Sequence, residues 1–493
     1  MIKAIKSLHD AFHDSNITYC HWKSTPRMNE VIRGDTDLDV LVDRKEVSKV
    51  WALLSELGWY LMNLPNFRQY PEVMDFLGFD AETGKIIHLH LHLNIVGGER
   101  FLKSYHFPYA EAILKSRVWC SEKELYTVSK GWEIILLLVR AAAKNDFANK
   151  LLSLVSKNHI DAVEKEFALL YPQGKEEARQ ILSTRSDGLS QVLETIIGAK
   201  QPWSSFKTHC REIRKHIKKY RRYSHPTCIW KQWTRIGKRI ITDAKRKILN
   251  NKTTGRRRFL GGGRLYAFVG VDGAGKSTQV KNLSKWLEKE VDCETIYLGT
   301  GDGRAAWYRW PFLKGLRLAE SLGLRSRGKN RRIRLEKEKT DRRPSLAKAI
   351  WVLLISMERL KKVKQAARLR RQGVIVLADR WPQDQIQDTL DGPRLKAWRS
   401  EKSFIGAIAR LEYRSFKYAQ TLQADVLFKL VADSSVVAER KPNDFDQKRT
   451  TRSIELLNLI NYKNAKETAS IDGNNSVNIV SKKIKKKIWN GVL

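Results

Sequence analysis

Gly270-Val271-Asp272-Gly273-Ala274-Gly275-Lys276-Ser277 fits the spacing G-x-x-x-x-G-K-S and lies between an apolar run and a helical pattern. Glycines at these positions let the backbone curl so that its N–H groups point at phosphate oxygens, and a following helix N-terminus adds partial positive charge. Gly270, Gly273, Ala274, Gly275, Lys276, Ser277 and Thr278 are therefore the expected phosphate cradle. Lys276 should reach the β- and γ-phosphates and Ser277 should ligate Mg²⁺, which makes ATP with Mg²⁺ the expected cofactor pair. A second constellation stands near the N-terminus, in Gly34-Asp35-Thr36-Asp37-Leu38-Asp39-Val40-Leu41-Val42. Residues i and i+2 share a strand face, so Asp37 and Asp39 point the same way and repel unless a divalent cation lies between them; Mg²⁺ is the natural partner. A third is the strictly alternating Ile86-Ile87-His88-Leu89-His90-Leu91-His92-Leu93. It lines three imidazoles on one face, either to bind metal or phosphate or to meet water, with His90 the favoured single ligand.

Elements must hold these groups. Around the glycine loop, a strand at Leu265–Val269 and a helix at Gln279–Glu290 are followed by strand-like runs at Glu294–Leu298, Val374–Ala378, Val426–Val431 and Thr468–Ile471. Strands separated by helices predict an α/β domain over 263–493, a five-stranded parallel sheet covered on both faces. Ile350, Leu353, Leu354, Met357 and Leu360 recur at helical spacing and predict a core-facing stripe. Residues 1–200 mix strand runs (Leu38–Val42, Ile86–Leu93) with helical periodicity over Trp132–Lys144, which predicts an α+β domain with a helical tail. Between them, 201–262 is rich in Lys and Arg, with Glu212 and Asp243 the acids between Ser205 and Arg264. It predicts a basic amphipathic connector ending in the flexible Gly261-Gly262-Gly263 hinge.

Composition sets the outer bounds. A chain of 493 residues, 42% hydrophobic and 29% charged, is too long for one core. Lys and Arg number 92 against 53 Asp and Glu, and a net charge of +39 excludes a neutral metabolic-enzyme surface and implies a polyanionic partner. Five scattered cysteines without a C-x-x-C pair suit a reducing compartment. No signal-like apolar stretch follows the first lysines, and the run Ile134–Ala143, broken by Arg140, falls far short of the ~20 residues needed to span a bilayer. A cytoplasmic protein is expected, with a peripheral place at the inner face of the membrane as an option. In 229–248, Ile229, Trp233, Ile236, Ile240, Ala244 and Ile248 fall three or four apart, with Lys231, Arg235, Lys238, Arg239 and Lys245 between them. Such a helix could lie on anionic lipid, bind nucleic acid electrostatically, or dock on the protein's own domains; lipid is favoured over nucleic acid because no recognisable nucleic-acid-reading module accompanies the charge.

The loop Val271–Thr278, Asp379-Arg380-Trp381 at a strand end and Ser470-Ile471-Asp472-Gly473 before the last helix together resemble the thymidylate kinase family of P-loop kinases, over roughly 263–493. The resemblance implies that Asp272 faces the acceptor, that Asp379 is the acid near Mg²⁺, and that Arg380 grips the acceptor phosphate. The segment Glu439-Arg440-Lys441-Pro442 to Lys448-Arg449 falls where that family has its mobile lid, with Arg440 and Arg449 its arginines. The second strand ends in Leu298-Gly299-Thr300-Gly301-Asp302-Gly303 rather than the family's Arg-Glu-Pro turn, and a basic insertion, Arg304 to Arg343, comes after it. With Asp391-Gly392-Pro393-Arg394, these departures look more like the divergent members found beside bacterial surface-polysaccharide genes, which implies a nucleotide or a phosphorylated glycan precursor as acceptor. Residues 1–150 resemble the minimal nucleotidyltransferase of the polymerase-β type, in which a D-x-D pair and a third strand-borne acid hold the metals. The histidine row stands where the third acid is expected.

Two rivals to the kinase reading stay open. One is a nucleic-acid end-processing kinase and nucleotidyltransferase whose charge is the binding surface; the other is a non-catalytic, membrane-associated ATP-binding scaffold.

Overall fold

The computed structural model describes residues 1–144, 159–248, 253–299, 343–387 and 390–491, and the chain divides into two compact units, Met1–Leu260 and Gly261–Leu493. The turn at 300–303 and all of the basic insertion except Arg343 lie outside the described residues.

In the first unit a mixed sheet runs in the order β10 (Arg258–Phe259), β3 (Tyr60–Asn63), β4 (Val73–Asp80), β5 (Lys85–His92), β2 (Leu38–Val42), β1 (Tyr19–His21), β9 (Leu125–Thr127), β8 (Val118–Cys120). A separate ribbon joins β6 (Ile95–Gly97) to β7 (Tyr105–Phe107). Helices α1 (Lys3–Asp14) and α2 (Val47–Glu56) pack on the sheet through Ile5, Leu8, Phe12, Val50 and Leu54 against Leu38, Val40 and Leu89. A second core gathers α3 (Lys130–Lys144), α4 (His159–Ser183), α5 (Gly188–Gly198) and α6 (Pro202–Ile217). Asp187 caps α5 by accepting from the N–H groups of Leu189 and Ser190.

The basic stretch expected as a connector belongs to this unit up to Leu260. Phe206, Cys210, Ile213 and Ile217 on α6 are buried in the same core as α3, and β10 pairs antiparallel with β3. Charge density hid apolar residues at helical spacing that are enough to dock a helix. Gly263, expected as part of a hinge, is packed tightly: its N–H donates to Arg370 O at 3.1 Å, and a Cβ there would meet Val374 O at 2.2 Å.

The second unit is α/β. Five parallel strands run in the order β12 (Cys293–Tyr297), β13 (Ile375–Asp379), β11 (Leu265–Gly270), β14 (Ala424–Val431), β15 (Ala465–Asp472). The central strand, Leu-Tyr-Ala-Phe-Val-Gly, is buried along its whole length, as a strand covered on both faces must be. Helices α8 (Lys276–Leu287), α9 (Leu346–Arg371), α10 (Phe404–Gln420), α11 (Ser434–Arg440), α12 (Gln447–Leu459) and α13 (Val477–Asn490) complete the described part. Ser345 and Ser403 cap α9 and α10 by accepting from Lys348 N–H and Gly406 N–H.

The stripe expected to face the core on α9 does so only in part, through Leu353, which packs against Leu395 and Ile408 with Ala349 and Val352. Ile350 and Met357 are exposed and Leu353, Leu354 and Leu360 half-buried, while Ala349, Val352, Ser356, Arg359, Val363 and Ala366 are buried at alternating spacings of three and four. The buried face also carries Glu358 and Leu369, so it mixes small, charged and apolar side chains. Among the described residues, no helix is long and apolar enough to cross a membrane.

If 201–217 is core rather than linker, Ile213→Ala should cost the first unit roughly 2–5 kcal/mol, read as a lower urea midpoint; an unchanged midpoint would return the segment to connector status.

Candidate functional site

In the second unit the strand order changes direction at β11, and parallel sheets bind ligands at the carboxyl ends of strands beside such a switch. The loop leaving β11 turns through Gly273 and Gly275, whose φ of 93° and 91° suit glycine, and enters α8 at Lys276. Lys276 is buried; its Nζ donates to Gly270 O at 2.9 Å and Val271 O at 2.8 Å and lies 3.8 Å from Asp272 Oδ1. Burial and the nearby Arg380 charge hold its pKa below the ordinary lysine value, against the opposing pull of Asp272, Asp379 and Asp391.

Parallel pairing puts Phe268 opposite Asp379, so the β13 end meets the loop. Ser277 Oγ donates to Asp379 Oδ2 at 2.6 Å, while Asp379 Oδ1, also buried, has no hydrogen-bond partner. A serine hydroxyl beside an unsatisfied carboxylate oxygen fits an oxygen-seeking cation such as Mg²⁺. The next residue, Arg380, takes a left-handed φ of 77°, and its N–H is tied to Phe268 O at 3.0 Å. A bulky residue holds that conformation only where its surroundings impose it. Here its guanidinium bonds Asp272 Oδ1 at 2.9 Å and lies 3.6 Å from Asp391 Oδ2. Burial pushes the Arg380 pKa down, but Asp391 and Asp272 raise it overall; burial likewise pushes Asp272 up, but Lys276 and Arg380 take its carboxyl below the usual range.

Asp272, Gly273, Ala274, Gly275, Lys276, Ser277, Thr278, Arg380 and Arg440 together line one cavity of about 450 Å³. Gly270 and Asp379 do not line it but are hydrogen-bonded to Lys276 and Ser277, which do. Arg440, at the end of α11, donates to Gly473 O at 2.9 Å, so the turn after β15 closes the cavity. Arg449 sits on the exposed face of α12 and does not line it. Sequence reading missed Tyr297 and Asn475 in the lining, placed Lys441 in the lid segment without a role of its own, and missed Arg359. That buried guanidinium on α9 bonds Leu298 O at 3.0 Å, Asp391 O at 2.9 Å and Asp391 Oδ1 at 3.2 Å, and so fixes the carboxylate that faces Arg380. A lone arginine inside an apolar helical stripe was the available signal.

In the first unit three adjacent strands align the other constellation: Asp39 on β2 and Asp75 on β4 both pair with His90 on β5. A further acid stands beside them on the neighbouring strand: Asp75, in the alternating run Val73-Met74-Asp75-Phe76, which sequence reading passed over. His90 lies between Asp39 Oδ1 at 3.3 Å and Asp75 Oδ1 at 3.4 Å; His88 joins Asp37 at 3.0 Å to Asp75 at 2.7 Å; His92 reaches Asp39 at 3.2 Å. Burial pushes the His90 pKa down, but Asp39 and Asp75 raise it overall, whereas burial takes His92 down to about 3. Asp37, His88 and His90, and likewise Asp39, His90 and His92, bring ligand atoms within 4.8 Å of one another. Such a set of one carboxylate and two imidazoles suits a transition ion better than Mg²⁺. Protein cations already stand there: Lys23 Nζ is 2.8 Å from Asp39 and Arg257 Nε 3.5 Å from Asp75. The adjoining cavity, about 130 Å³, is lined by Arg68, Arg239, Arg256 and Arg257 with Tyr70, Asp75 and His90, a setting for an anion.

No family model matches the chain. The uncharacterised ATP-binding protein YghR of Escherichia coli K12 is 29% identical over 209 residues, 41% of this chain and 78% of its own length. Among solved structures, thymidylate kinase from Ehrlichia chaffeensis aligns over 46% of this chain and 99% of its own, with 14% identity and a TM-score of 0.24. Deoxyadenosine kinase from M. mycoides aligns over 45% and 98%, with 15% identity and a TM-score of 0.25.

Breaking the Arg359–Asp391 pair should leave a buried carboxylate uncompensated. Arg359→Met is expected to destabilise the second unit by about 3–5 kcal/mol, and Arg449→Met by no more than about 0.5 kcal/mol, both read from chemical denaturation.

Proposed function

We propose that the chain is an ATP- and Mg²⁺-dependent phosphotransferase of the thymidylate kinase type, acting on a nucleotide or a phosphorylated glycan precursor. The observation that carries this reading is the convergence on one cavity of a phosphate loop, a buried lysine and an arginine held between two carboxylates. ATP as the donor is further supported by similarity to an E. coli protein described as ATP-binding.

Phosphoryl transfer needs positioned cations more than covalent chemistry. Lys276 exchanges the carbonyls of Gly270 and Val271 for phosphate oxygens, so its charge arrives without first being stripped of bulk water. Arg380 offers a guanidinium fork to the phosphate of the acceptor, and Asp272 and Asp391 set its direction. Ser277 and Asp379 are the groups that would hold Mg²⁺, whose chemistry is to neutralise charge on the transferred group. Arg440 lines the same cavity, where it contributes positive charge.

The first unit serves, in this reading, as an accessory nucleotidyltransferase-like domain. Asp39 on β2, Asp37 just before it and Asp75 on β4 would supply the three acids of that chemistry, and the arginine-lined cavity beside them would receive an anionic ligand.

The test is ATP consumption with Mg²⁺ against nucleoside monophosphates, sugar phosphates and short oligonucleotides. Turnover should depend on one of the first two acceptor classes and fall by roughly 10²–10³-fold in Lys276→Ala. Turnover unchanged in that variant would remove the kinase assignment, and dependence on oligonucleotides would favour end-processing.

A further inference from the structure

Helix α7 (His225–Ile248) rests on the first unit by one face. Cys228, Gln232 and Ile236 are buried, and Arg235 and Arg239 turn the same way: Arg235 donates to Gln69 O and Phe101 O at 2.9 Å, and Arg239 lies over the Phe101 ring at 4.1 Å. Two of the cations expected on the outer surface are therefore spent in holding the helix down. The helix's one acid, Asp243, lies 3.5 Å from Arg68 of the same unit.

The outward face is the apolar one. Trp230 is 66% exposed, Ile240 63%, Ile241 56% and Ile248 80%, with Ile229 and Trp233 exposed beside them. At 100° per residue these six, with Gly237 and Ala244, fill an arc of about 120°. Along one border of the arc Lys231, Lys238 and Lys245 repeat every seven residues as a row of ammonium groups, and Lys231 reaches the Tyr223 ring at 4.8 Å. Solvent-facing isoleucines on the same face as two tryptophans are unfavourable in water, and a helix already anchored on its other side cannot turn them inward.

We propose that this face lies flat in the headgroup region of an anionic phospholipid bilayer, with Trp230, Trp233, Ile240, Ile241 and Ile248 entering the acyl boundary and the lysine row on the phosphates. The charge decides for lipid over a second copy of the chain: with a net charge of +39, two such faces would bring like charge together. Tryptophan, apolar on its ring and polar at its N–H, suits that depth. The surface would bring the protein to substrates held at a membrane, independently of what either cavity binds.

The full chain would be sedimented with vesicles of phosphatidylcholine alone and with about one-third phosphatidylglycerol. Binding to the anionic vesicles only is expected, weakened by salt. Trp230→Ser with Ile241→Ser, and separately Lys231→Glu with Lys238→Glu and Lys245→Glu, should each lower partitioning by more than about tenfold, with unchanged melting temperature. Trp51→Ser, an exposed tryptophan elsewhere, should bind as the parent does. Failure to bind anionic vesicles overturns the proposal, as does binding that survives both sets of substitutions. So does a dimer, or an oligonucleotide complex, that the same substitutions abolish while vesicles are never bound.

Discussion

Parallel pairing of β11 with β13 is the constraint on which the second unit's chemistry depends. The two strands end side by side, so the segments that leave their carboxyl ends face each other. From β11 the chain enters a loop that curls into a helix N-terminus; β13 closes on an acid and hands over to an arginine. The hydrogen bond from Ser277 to Asp379 is the point at which they meet, and it leaves one buried carboxylate oxygen without a protein partner. Sheet topology, rather than any single side chain, thus sets the distance between the groups that would hold a metal and those that would hold phosphate.

Around that junction the protein places charge at some cost to itself. Lys276 is buried with its ammonium turned to carbonyls, and Arg380 sits in a backbone region that arginine seldom adopts. These are features that packing alone would remove and that a ligand of high negative charge would favour. Arg359 shows how far the support extends: a buried guanidinium on α9 holds Asp391, Asp391 faces Arg380, and Arg380 bonds Asp272. The first unit repeats the theme with other residues, setting histidines between carboxylates on three adjacent strands and surrounding them with arginines.

Much of this was legible in the sequence where one residue type has one physical use. Glycine, lysine and serine at fixed spacing predicted a turn between strand and helix, and Leu265–Gly270 is apolar because it is buried on both sides; strand, turn and helix follow in that order. The D-x-D pair and the alternating histidines revealed a strand face. The sequence could not say which strands become neighbours. Asp75 is one acid among many until β4 pairs with β5, and Arg359 is one arginine among many until Asp391 is folded against it. Hydrophobicity was a partial guide on α9, where Ile350 and Met357 are exposed while Leu353 packs, and charge density concealed the apolar residues of 202–217 that reach a core.

The most direct test of the account is a double-mutant cycle on Ser277→Ala and Asp379→Asn, with the affinity for ATP in the presence of Mg²⁺ measured by calorimetry for parent, single variants and double variant. If the two strand ends share one cation, the losses are non-additive, with a coupling of about 1 kcal/mol or more. Losses that add to within about 0.5 kcal/mol would mean that the two residues act independently and would contradict the account.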